Sequence, residues 1–516
     1  MSFKLLLALG LIFLTAQFQG QPPSQVPQAD PVTLDTVILT VPIAPGKPPL
    51  AFTLGEMLRL YKVPGVSIAV VEENRLAWAK GFGVVAPGST TPVTPDTLFQ
   101  AASISKPVAA AGGLWLVEHG KLDLDKDVNL ELKTWKVPDD TFTATEKVTL
   151  RRLMSHNAGM NVHGFAGYAQ GSALPTTVQT LDGLAPANNP PIRVTVVPGT
   201  QCIYSGGGVT VEGLLIKDAS GQRFEDFMRQ QVLLPAGMTS STFEQPLPPL
   251  LAARAATGTH ADGSAVPGKW HVYPELAPDG LWTTPSDLAR FGIELSLSRE
   301  GKANHILSKA MTQEMLKPQC HDVPGDAGGV GLGFGVGYRG HPGQFRHNGG
   351  NDGFESLLFM DADRGWGIAL MGNSDSFHLI YPHIVETIAR SRGWEYSSPK
   401  VSLPEILTLI QARLGIGTAL AAYEGMRAAD PKESESSATL NGFGYQLLAL
   451  GNAEDAIQVF ERNAALHTMD ANTYDSLADA YTRVGKKELA IQNYEHSLQL
   501  DPHNNHAREQ LKKLQP

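Results

Sequence analysis

Residues 103–106 are Ser103-Ile104-Ser105-Lys106, and they stand at the start of an apolar, alanine-rich segment, 107–116. Strong helix formers in that segment, with Gly120-Lys121 behind it, predict a helix that begins near Ser103 and stops at Gly120. Side chains three positions apart lie on one helical face, so the Lys106 ammonium can reach the Ser103 hydroxyl. A serine in a first helical turn also meets unpaired backbone N–H groups. The stretch therefore predicts an activated serine nucleophile.

Two motifs further along the chain supply partners for this serine. They are Tyr204-Ser205-Gly206 and His347-Asn348-Gly349-Gly350, the second of which follows a short extended run. In this order the three motifs resemble those of the serine hydrolases of the class C β-lactamase superfamily, which includes esterases, D-amino-acid peptidases and penicillin-binding proteins. Flanking segments resemble the same family and extend the likeness over roughly residues 50–395: Pro64–Val71, Leu153–Gly159, Leu234–Met238 and Gly280–Thr284.

The resemblance implies a role for each motif. Ser103 would form an acyl-enzyme with Lys106 beside it, and Tyr204 would act as the base, because a nearby ammonium favours the phenolate of a group whose ordinary pKa is about 10. Whether Tyr204 or a neutral Lys106 is the working base stays open at this point. The backbone N–H groups of Ser103 and Gly350 would hold the oxyanion. Further substrate contacts would come from His347, Asn348, Gly349 and Gly206.

Two departures from the family pattern bear on the substrate. Penicillin-recognising members commonly carry Lys-Thr-Gly where this chain has His347-Asn348-Gly349, and a neutral imidazole is a weaker anchor for a carboxylate than an ammonium. Arg346 is not expected to replace that ammonium, because neighbours on a strand point to opposite faces. Gly206 stands where many members have an asparagine that binds the substrate's acylamino group. Both changes favour short neutral acyl substrates over penicillins.

We therefore expect an exported serine hydrolase with esterase or amidase activity on small-molecule substrates. A β-lactamase or D-amino-acid peptidase of the same fold is the alternative among enzymes, and an inactive hydrolase-like scaffold is the alternative of another class. With an ordinary pKa of about 6.5, His347 would select anionic substrates more strongly near pH 6 than near pH 8. His156 and Asn157 resemble a family helix-end motif and are interpreted as structural.

The hydrophobic pattern predicts a sheet made from both ends of this unit. Val66–Val71 and Leu76–Val84 flank a polar turn and predict one hairpin, and Ser356–Met360 with Trp366–Met371 predict a second. Helices lie between them, including one that starts at Pro285 with its N-cap at the preceding threonine. The resemblance implies the same arrangement, an α+β sandwich in which an antiparallel sheet is flanked by helices.

A glycine-rich run, Gly331–Tyr338, contains Gly-x-Gly but no helix is expected after it, as a dinucleotide site would require. Its strict alternation predicts one flat strand with every glycine on the same face. The sequence therefore gives no support for a nucleotide site here.

The chain beyond residue 396 is helical in composition and contains a repeat. Gly451, Ala456, Ile457 and Phe460 recur 34 positions later as Gly485, Ala490, Ile491 and Tyr494. This period predicts tetratricopeptide repeats over residues 404–516, after a linker at 396–403, with a polar capping helix from His503. Because repeats contact mainly their neighbours, we expect the hydrolase unit, 51–395, to fold without them. The repeats offer a concave face for a protein partner, while the anchors themselves are core.

Composition limits the remaining functions. The chain has 516 residues, 42% hydrophobic and 18% charged, with a net charge of −10, which fits a packed protein of more than one domain and excludes nucleic-acid binding. Residues 1–20 predict a cleaved signal peptide, so we expect a periplasmic or secreted protein without stable membrane insertion, and 21–50 a proline-rich leader without a core. Cys202 and Cys320 are the chain's two cysteines, and their pairing stays open. No metal-ligand spacing appears, so we expect no metal and no cofactor.

Overall fold

The computed structural model describes residues 34–41, 48–321, 328–396, 401–429 and 436–515. The predicted signal peptide, much of the leader and part of the predicted linker lie outside these residues. Among the helices of the described ranges, none combines the length and the apolar character that a membrane crossing needs.

The strands in the described residues are β1 (Leu39–Val41), β2 (Leu50–Phe52), β3 (Gly65–Glu72), β4 (Arg75–Gly83), β5 (Phe99–Gln100), β6 (Trp282–Thr283), β7 (Gly329–Val330), β8 (Gly335–Val336), β9 (Gln344–Asn351), β10 (Phe354–Asp361) and β11 (Trp366–Gly372). The α-helices are α1 (Leu54–Leu60), α2 (Ser105–Glu118), α3 (Leu150–Met154), α4 (Thr177–Asp182), α5 (Gly206–Ser220), α6 (Phe224–Met228), α7 (Pro249–Ala252), α8 (Pro285–Glu300), α9 (Lys309–Met315), α10 (Tyr381–Arg392), α11 (Leu403–Leu414), α12 (Ile416–Ala429), α13 (Ala438–Leu450), α14 (Ala453–Leu466), α15 (Ala471–Arg483), α16 (Lys487–Leu500) and α17 (Asn505–Leu514).

The central sheet has seven strands in the order β4-β3-β11-β10-β9-β8-β7. Both predicted hairpins are present, β3 with β4 and β10 with β11. Antiparallel pairing of β11 with β3 joins them, for example Ala369 opposite Ala69. Thr284 caps α8 as expected, since its side chain accepts a hydrogen bond from the Asp287 N–H at 3.2 Å. The predicted α+β sheet from the two ends of the unit is confirmed.

Both faces of this sheet are buried, which explains the continuous apolar run of β3. Ala69 and Val71 belong to one hydrophobic cluster, which also contains the apolar residues of α2, α5 and α8. Ile68 and Val70 point the other way, into a second cluster that contains α1, α10 and the helical tail. The sheet therefore has a nucleophile face, toward α2, and a tail face, toward α10 and α11.

The leader contributes to the core, contrary to the sequence prediction. β1 pairs antiparallel with β2, so Leu39 lies opposite Phe52. Leu34, Ile38 and Leu39 are buried in the cluster of the tail face. The many prolines of this segment suggested a chain without a core, but its spaced aliphatic side chains cover the sheet.

The glycine-rich run is a hairpin and not the single strand that its alternation predicted. β7 pairs with β8, and the Gly331 N–H donates to the Phe334 carbonyl at 2.8 Å across the turn. Gly333 has φ +94°, and a Cβ there would lie 2.8 Å from Pro107 Cα at the start of α2. The glycines thus allow a tight turn and close approach to the nucleophile helix, needs that alternation alone does not reveal.

The tail is a series of helices that pack in sequence order, α11 on α12, α13 on α14 and α15 on α16. Gly451 and Gly485, one predicted period apart, both have positive φ between consecutive helices. α11 also lies against the hydrolase unit: Arg413 donates to Glu56 at 2.8 Å and His383 Nε2 lies 3.0 Å from Glu405. Apolar residues of α11 share one cluster with β3 and α10, so the tail is not packed as a separate body.

Candidate active site

Ser103 lies in a short 3₁₀ turn, Ala102–Ile104, immediately before α2. The predicted helix therefore begins two residues later than expected, at Ser105, and ends at Glu118 instead of Gly120. Ala102, just before the nucleophile, has φ +49°, a conformation that costs energy for a residue with a side chain. The turn that presents the Ser103 hydroxyl is therefore a strained one.

Hydrogen bonds from two distant segments hold this turn in place. The Ser105 hydroxyl donates to the Ala102 carbonyl at 2.6 Å and accepts from the Leu281 N–H at 3.0 Å. The Ser356 hydroxyl of β10 donates to the Ala101 carbonyl at 2.8 Å. The strained conformation is thus fixed by buried partners on the loop before β6 and on the central sheet.

Lys106 reaches Ser103 as the Ser-x-x-Lys spacing predicted. Its ammonium donates to Ser103 Oγ at 2.8 Å, to the Pro278 carbonyl at 3.0 Å and to Asp279 Oδ1 at 3.2 Å. The side chain is only 1% exposed. Burial by itself would lower the pKa of Lys106, but the charges of Asp279 and Tyr204 raise the pKa above its ordinary value. Lys106 is therefore held as a charged ammonium.

Asp279 is the member of the site that the sequence motifs missed. Its Oδ1 accepts hydrogen bonds from both Ser103 Oγ and Lys106 Nζ, each at 3.2 Å. The side chain is 4% exposed, and its Oδ2 is buried without a hydrogen-bond partner in the described residues. The one available signal was its position directly before the flanking segment Gly280–Thr284.

Tyr204 lies beside the nucleophile between two histidines. Its ring centroid is 4.3 Å from that of His156, 4.7 Å from that of His163 and 5.0 Å from the Lys106 ammonium. Burial and the charge of Lys106 keep the pKa of His156 well below its ordinary value, so this imidazole is neutral. The phenol is thus packed against two aromatic rings while it faces a cation.

The segment before α5 fixes where Tyr204 lies. His156 accepts the Ile203 N–H at its carbonyl, at 2.7 Å, and the Ser205 N–H at its Nδ1, at 3.2 Å. Ser205 caps α5 through the Gly208 N–H, and a disulfide joins Cys202 to Cys320. His156 therefore positions Tyr204, as the structural interpretation of this residue expected. The cysteine pair, left open by the sequence, is bridged.

Strand β9 brings the third motif to the same place. β8 pairs with β9 only as far as Arg346, so the following residues lie on an edge that β8 does not cover. A cavity of about 830 Å³ opens there. Its lining includes the following residues of the three motifs and their neighbours: Ser103, His156, His163, Tyr204, Asp279, His347, Asn348 and Gly350. Ser103 and Gly350, the predicted oxyanion donors, thus border one cavity.

Two predicted substrate-binding glycines, Gly206 and Gly349, do not line this cavity. A Cβ on Gly349 would lie 2.2 Å from the Ala101 carbonyl oxygen and 2.9 Å from the Ser103 nitrogen, so this residue lets β9 approach the nucleophile turn. Gly206 is buried at the start of α5, and its N–H donates to the His163 carbonyl at 3.0 Å. Their positions indicate close packing behind the site and not substrate contact.

His347 differs from expectation in its charge. Burial, the Lys106 ammonium and Arg346 lower the pKa of His347 to about 3, against a smaller opposing effect of the Asn348 carbonyl. Its Nδ1 lies 2.6 Å from that carbonyl, so Nδ1 carries the hydrogen and Nε2 is left as an acceptor. The imidazole is therefore neutral throughout the pH range in which it was predicted to titrate.

Arg346 and His347 have different neighbours across the sheet. Arg346 pairs in register with Phe359 and stacks on Tyr338 at 4.0 Å, whereas His347 pairs with Leu358, a residue of the nucleophile-face cluster. The predicted opposite orientation of these two side chains agrees with this register.

One group outside the cavity could hold a metal ion. His260, Asp352 and Asp375 each offer a ligand atom, and these atoms lie within 4.8 Å of one another. His260 Nδ1 is 3.3 Å from Asp352 and 3.4 Å from Asp375, while Asp375 also accepts the Gly353 N–H at 2.6 Å. These groups already serve one another as a small ion-pair network, and none of them touches Ser103.

A family comparison matches this geometry. The model of the β-lactamase family matches residues 53–381, which is more than half of the chain. The chain belongs to the β-lactamase family. The match contains every cavity-lining residue of the three motifs and also the sheet that carries them.

Curated members of this family are distant relatives. Unguisins hydrolase ungD of Aspergillus violaceofuscus is 28% identical over 246 residues, 44% of this chain and 40% of that protein. Protein flp of Staphylococcus aureus is 24% identical over 343 residues, 63% of this chain and 62% of that protein. The chain thus spans less than two thirds of the length of these relatives.

Solved structures of the family share the fold. The octameric penicillin-binding protein homologue from Pyrococcus abyssi has a TM-score of 0.57 at 24% identity, covering 69% of this chain and 79% of that one. The D-amino acid amidase from Ochrobactrum anthropi has a TM-score of 0.51 at 24% identity, covering 64% of this chain and 94% of that one. The β-lactamase-like sandwich predicted from the motifs is therefore the fold of this chain.

Proposed function

We propose that this chain is an exported serine hydrolase that cleaves esters or amides through an acyl-enzyme on Ser103. The observation that carries the proposal is the 2.8 Å hydrogen bond from a buried Lys106 ammonium to Ser103 Oγ, on the rim of a cavity bordered by Tyr204 and Gly350. An exposed serine and lysine would not give up water for each other without a use, because burying a charge is costly.

Lys106 has the role of a charged group that favours the Ser103 alkoxide. As an ammonium it cannot accept a proton, so the proton of Ser103 must pass to another group when Oγ attacks the acyl carbon. Tyr204 is the proposed base for this first step and returns the proton to the leaving group. The backbone N–H groups of Ser103 and Gly350 stabilise the oxyanion, and losing one such donor typically costs about 3 to 4 kcal/mol.

Short neutral substrates fit the polar groups of the cavity best. His347 is neutral and offers an acceptor, and the amide of Asn348 is the other polar side chain of its motif, so neither supplies a positive charge for a substrate carboxylate. The Asp279 carboxylate beside the nucleophile further disfavours an anionic acyl group. These features support an esterase or amidase over a β-lactamase.

A second candidate is hydrolysis of D-amino-acid amides or peptides. It is favoured by the likeness in fold to a D-amino acid amidase and by unguisins hydrolase among the curated relatives. An inactive scaffold is disfavoured, because a non-catalytic protein gains nothing from a strained Ala102 and a buried Lys106 beside Ser103.

Export and the tail complete the proposal. A disulfide between Cys202 and Cys320 is typical of an oxidising compartment and supports a periplasmic or secreted location. The 34-residue recurrence and the consecutive helices support tetratricopeptide repeats in the tail, with a protein partner on their exposed face. The test of the substrate class is kcat/KM for p-nitrophenyl esters, D-aminoacyl anilides and a chromogenic cephalosporin. Highest activity on short esters supports the proposal, and a preference for the cephalosporin contradicts it.

A further inference from the structure

Asp279 has an unused oxygen beside the nucleophile. Oδ1 accepts from Ser103 Oγ and Lys106 Nζ, but Oδ2 has no hydrogen-bond partner in the described residues, although the side chain is 4% exposed. Buried carboxylate oxygens are normally paired, so an orphan of this kind calls for a ligand. Because Asp279 lines the same cavity as Ser103, a water molecule between the carboxylate and an acyl group on Ser103 would satisfy it.

The other groups around Ser103 are less suited to activate such a water. The three N–H bonds of the Lys106 ammonium are directed at Ser103 Oγ, the Pro278 carbonyl and Asp279, so this residue has no lone pair to accept a proton. His156 Nδ1 is occupied by the Ser205 N–H. Tyr204 is the proposed base of acylation and has already returned its proton to the leaving group.

We propose that Asp279 is a catalytic residue, the general base of the second half-reaction, in which the acyl-enzyme is hydrolysed. This inference rests on the proposed acyl-enzyme at Ser103. The water oxygen bonds to the acyl carbon while one water proton passes to the Asp279 carboxylate. The bond from carbon to Ser103 Oγ then breaks, and Oγ takes that proton from the Asp279 carboxyl group. The products are a free acid, a restored serine hydroxyl and a restored carboxylate.

The existing contact matches this last transfer. Ser103 Oγ and Asp279 Oδ1 lie 3.2 Å apart and already share a hydrogen bond, so the proton needs no rearrangement to move between them. The site thereby has two bases, Tyr204 for acylation and Asp279 for deacylation, with Lys106 as the cation between them.

A purely positioning role for Asp279 would give a different result. If the carboxylate only holds Lys106 in place, its loss slows attack by Ser103, and acyl-enzyme does not accumulate. If it activates water, acyl-enzyme forms and then persists. The two roles are therefore separated by which half-reaction slows, and not by overall activity.

The experiment is pre-steady-state hydrolysis of p-nitrophenyl acetate by the full chain and by Asp279→Asn, with intact-mass analysis of the quenched enzyme. We expect a burst of about one p-nitrophenol per active site in the variant, a steady rate lower by about 100-fold or more, and an acetyl adduct on Ser103. A steady rate like that of the native chain, or loss of the burst itself, would overturn the assignment.

Matched variants keep the result interpretable. Glu212→Gln changes a different buried carboxyl near Lys106, one that burial holds protonated by raising its pKa to about 8 and that does not line the cavity; its burst and steady rate should match those of the native chain. If Asp279→Asn does not fold, Asp279→Glu retains the charge but moves it, and we expect a full burst with slower hydrolysis. An unchanged steady rate in that variant counts against Asp279. Absence of any adduct on Ser103 in the native chain would instead overturn the acyl-enzyme proposal.

Discussion

Lys106 Nζ lies 2.8 Å from Ser103 Oγ and 3.2 Å from Asp279 Oδ1, so one buried ammonium joins the nucleophile to a carboxylate 173 positions further along the chain. Removing either partner of such a pair leaves an uncompensated buried charge, which typically costs about 3 to 5 kcal/mol. The ion pair therefore explains why a lysine remains charged at the bottom of a cavity, and why the proton of Ser103 must go elsewhere.

Tyr204→Phe tests the proposed base of acylation. The change removes the proton acceptor and leaves the ring between His156 and His163, so the packing of the segment is retained. We expect the acylation rate to fall by about 100- to 10,000-fold with little change in substrate binding. Stopped-flow measurement of the burst phase checks this, and an unchanged burst would exclude Tyr204 as the base.

The pH dependence of selectivity tests the charge of His347. Since its pKa is lowered to about 3, the imidazole is neutral at both pH 6 and pH 8 and gains no charge between them. We expect the ratio of kcat/KM for an anionic ester to that for a neutral ester to stay constant across this range. A ratio that rises toward pH 6 and loses that rise in His347→Gln would show that the imidazole does titrate there.

The first, second and third motifs could be predicted because their chemistry is local. Lys106 follows Ser103 by one helical turn, and Gly350 directly follows the His347 motif. Asp279 could not be predicted in this way, because it stands in no motif and reaches Ser103 only through the loop before β6. The charge of His347 was likewise hidden, since its pKa depends on burial and on a cation 241 positions away in sequence.

The two hairpins of the sheet were predictable because β3, β4, β10 and β11 each carry an uninterrupted strand pattern beside a polar turn. The hairpin of β7 and β8 was not, because its glycines answer to Pro107 across the fold and not to their own alternation. The same holds for Gly349, whose contact with the nucleophile turn depends on a neighbour far away in sequence.

Gly349→Ala tests the close approach of β9 to the nucleophile turn. The new Cβ would meet the Ala101 carbonyl oxygen at 2.2 Å, Ser356 Oγ at 2.6 Å and the Ser103 nitrogen at 2.9 Å. We expect a loss of stability of about 1 to 3 kcal/mol and a larger loss of kcat, because the strand must move away from Ser103. Denaturant unfolding and steady-state kinetics measure the two effects. Gly425→Ala, where a Cβ meets nothing within 4 Å, is the control and should alter neither activity nor fold.

Removal of the tail tests the shared core. A chain that ends at residue 400 lacks α11, whose Leu407, Leu409 and Ile410 are fully buried in the cluster of the tail face. We expect a lower Tm and binding of an apolar dye, while Ser103 remains reactive in the folded fraction because the cavity is lined by hydrolase residues. A chain that ends at Gly415 retains α11 and should be affected less. Equal Tm values for the full chain and the chain ending at residue 400 would restore the prediction of independent units.

The central claim is that Ser103 is the nucleophile of a serine hydrolase, and covalent labelling tests it most directly. The full chain is treated with a serine-reactive fluorophosphonate and analysed by intact mass and peptide mapping, beside Ser103→Ala. The account predicts one adduct per chain, on Ser103, and none in the variant, whose fold is unchanged. A native chain that remains unlabelled, or an adduct on another serine that persists in Ser103→Ala, would contradict it.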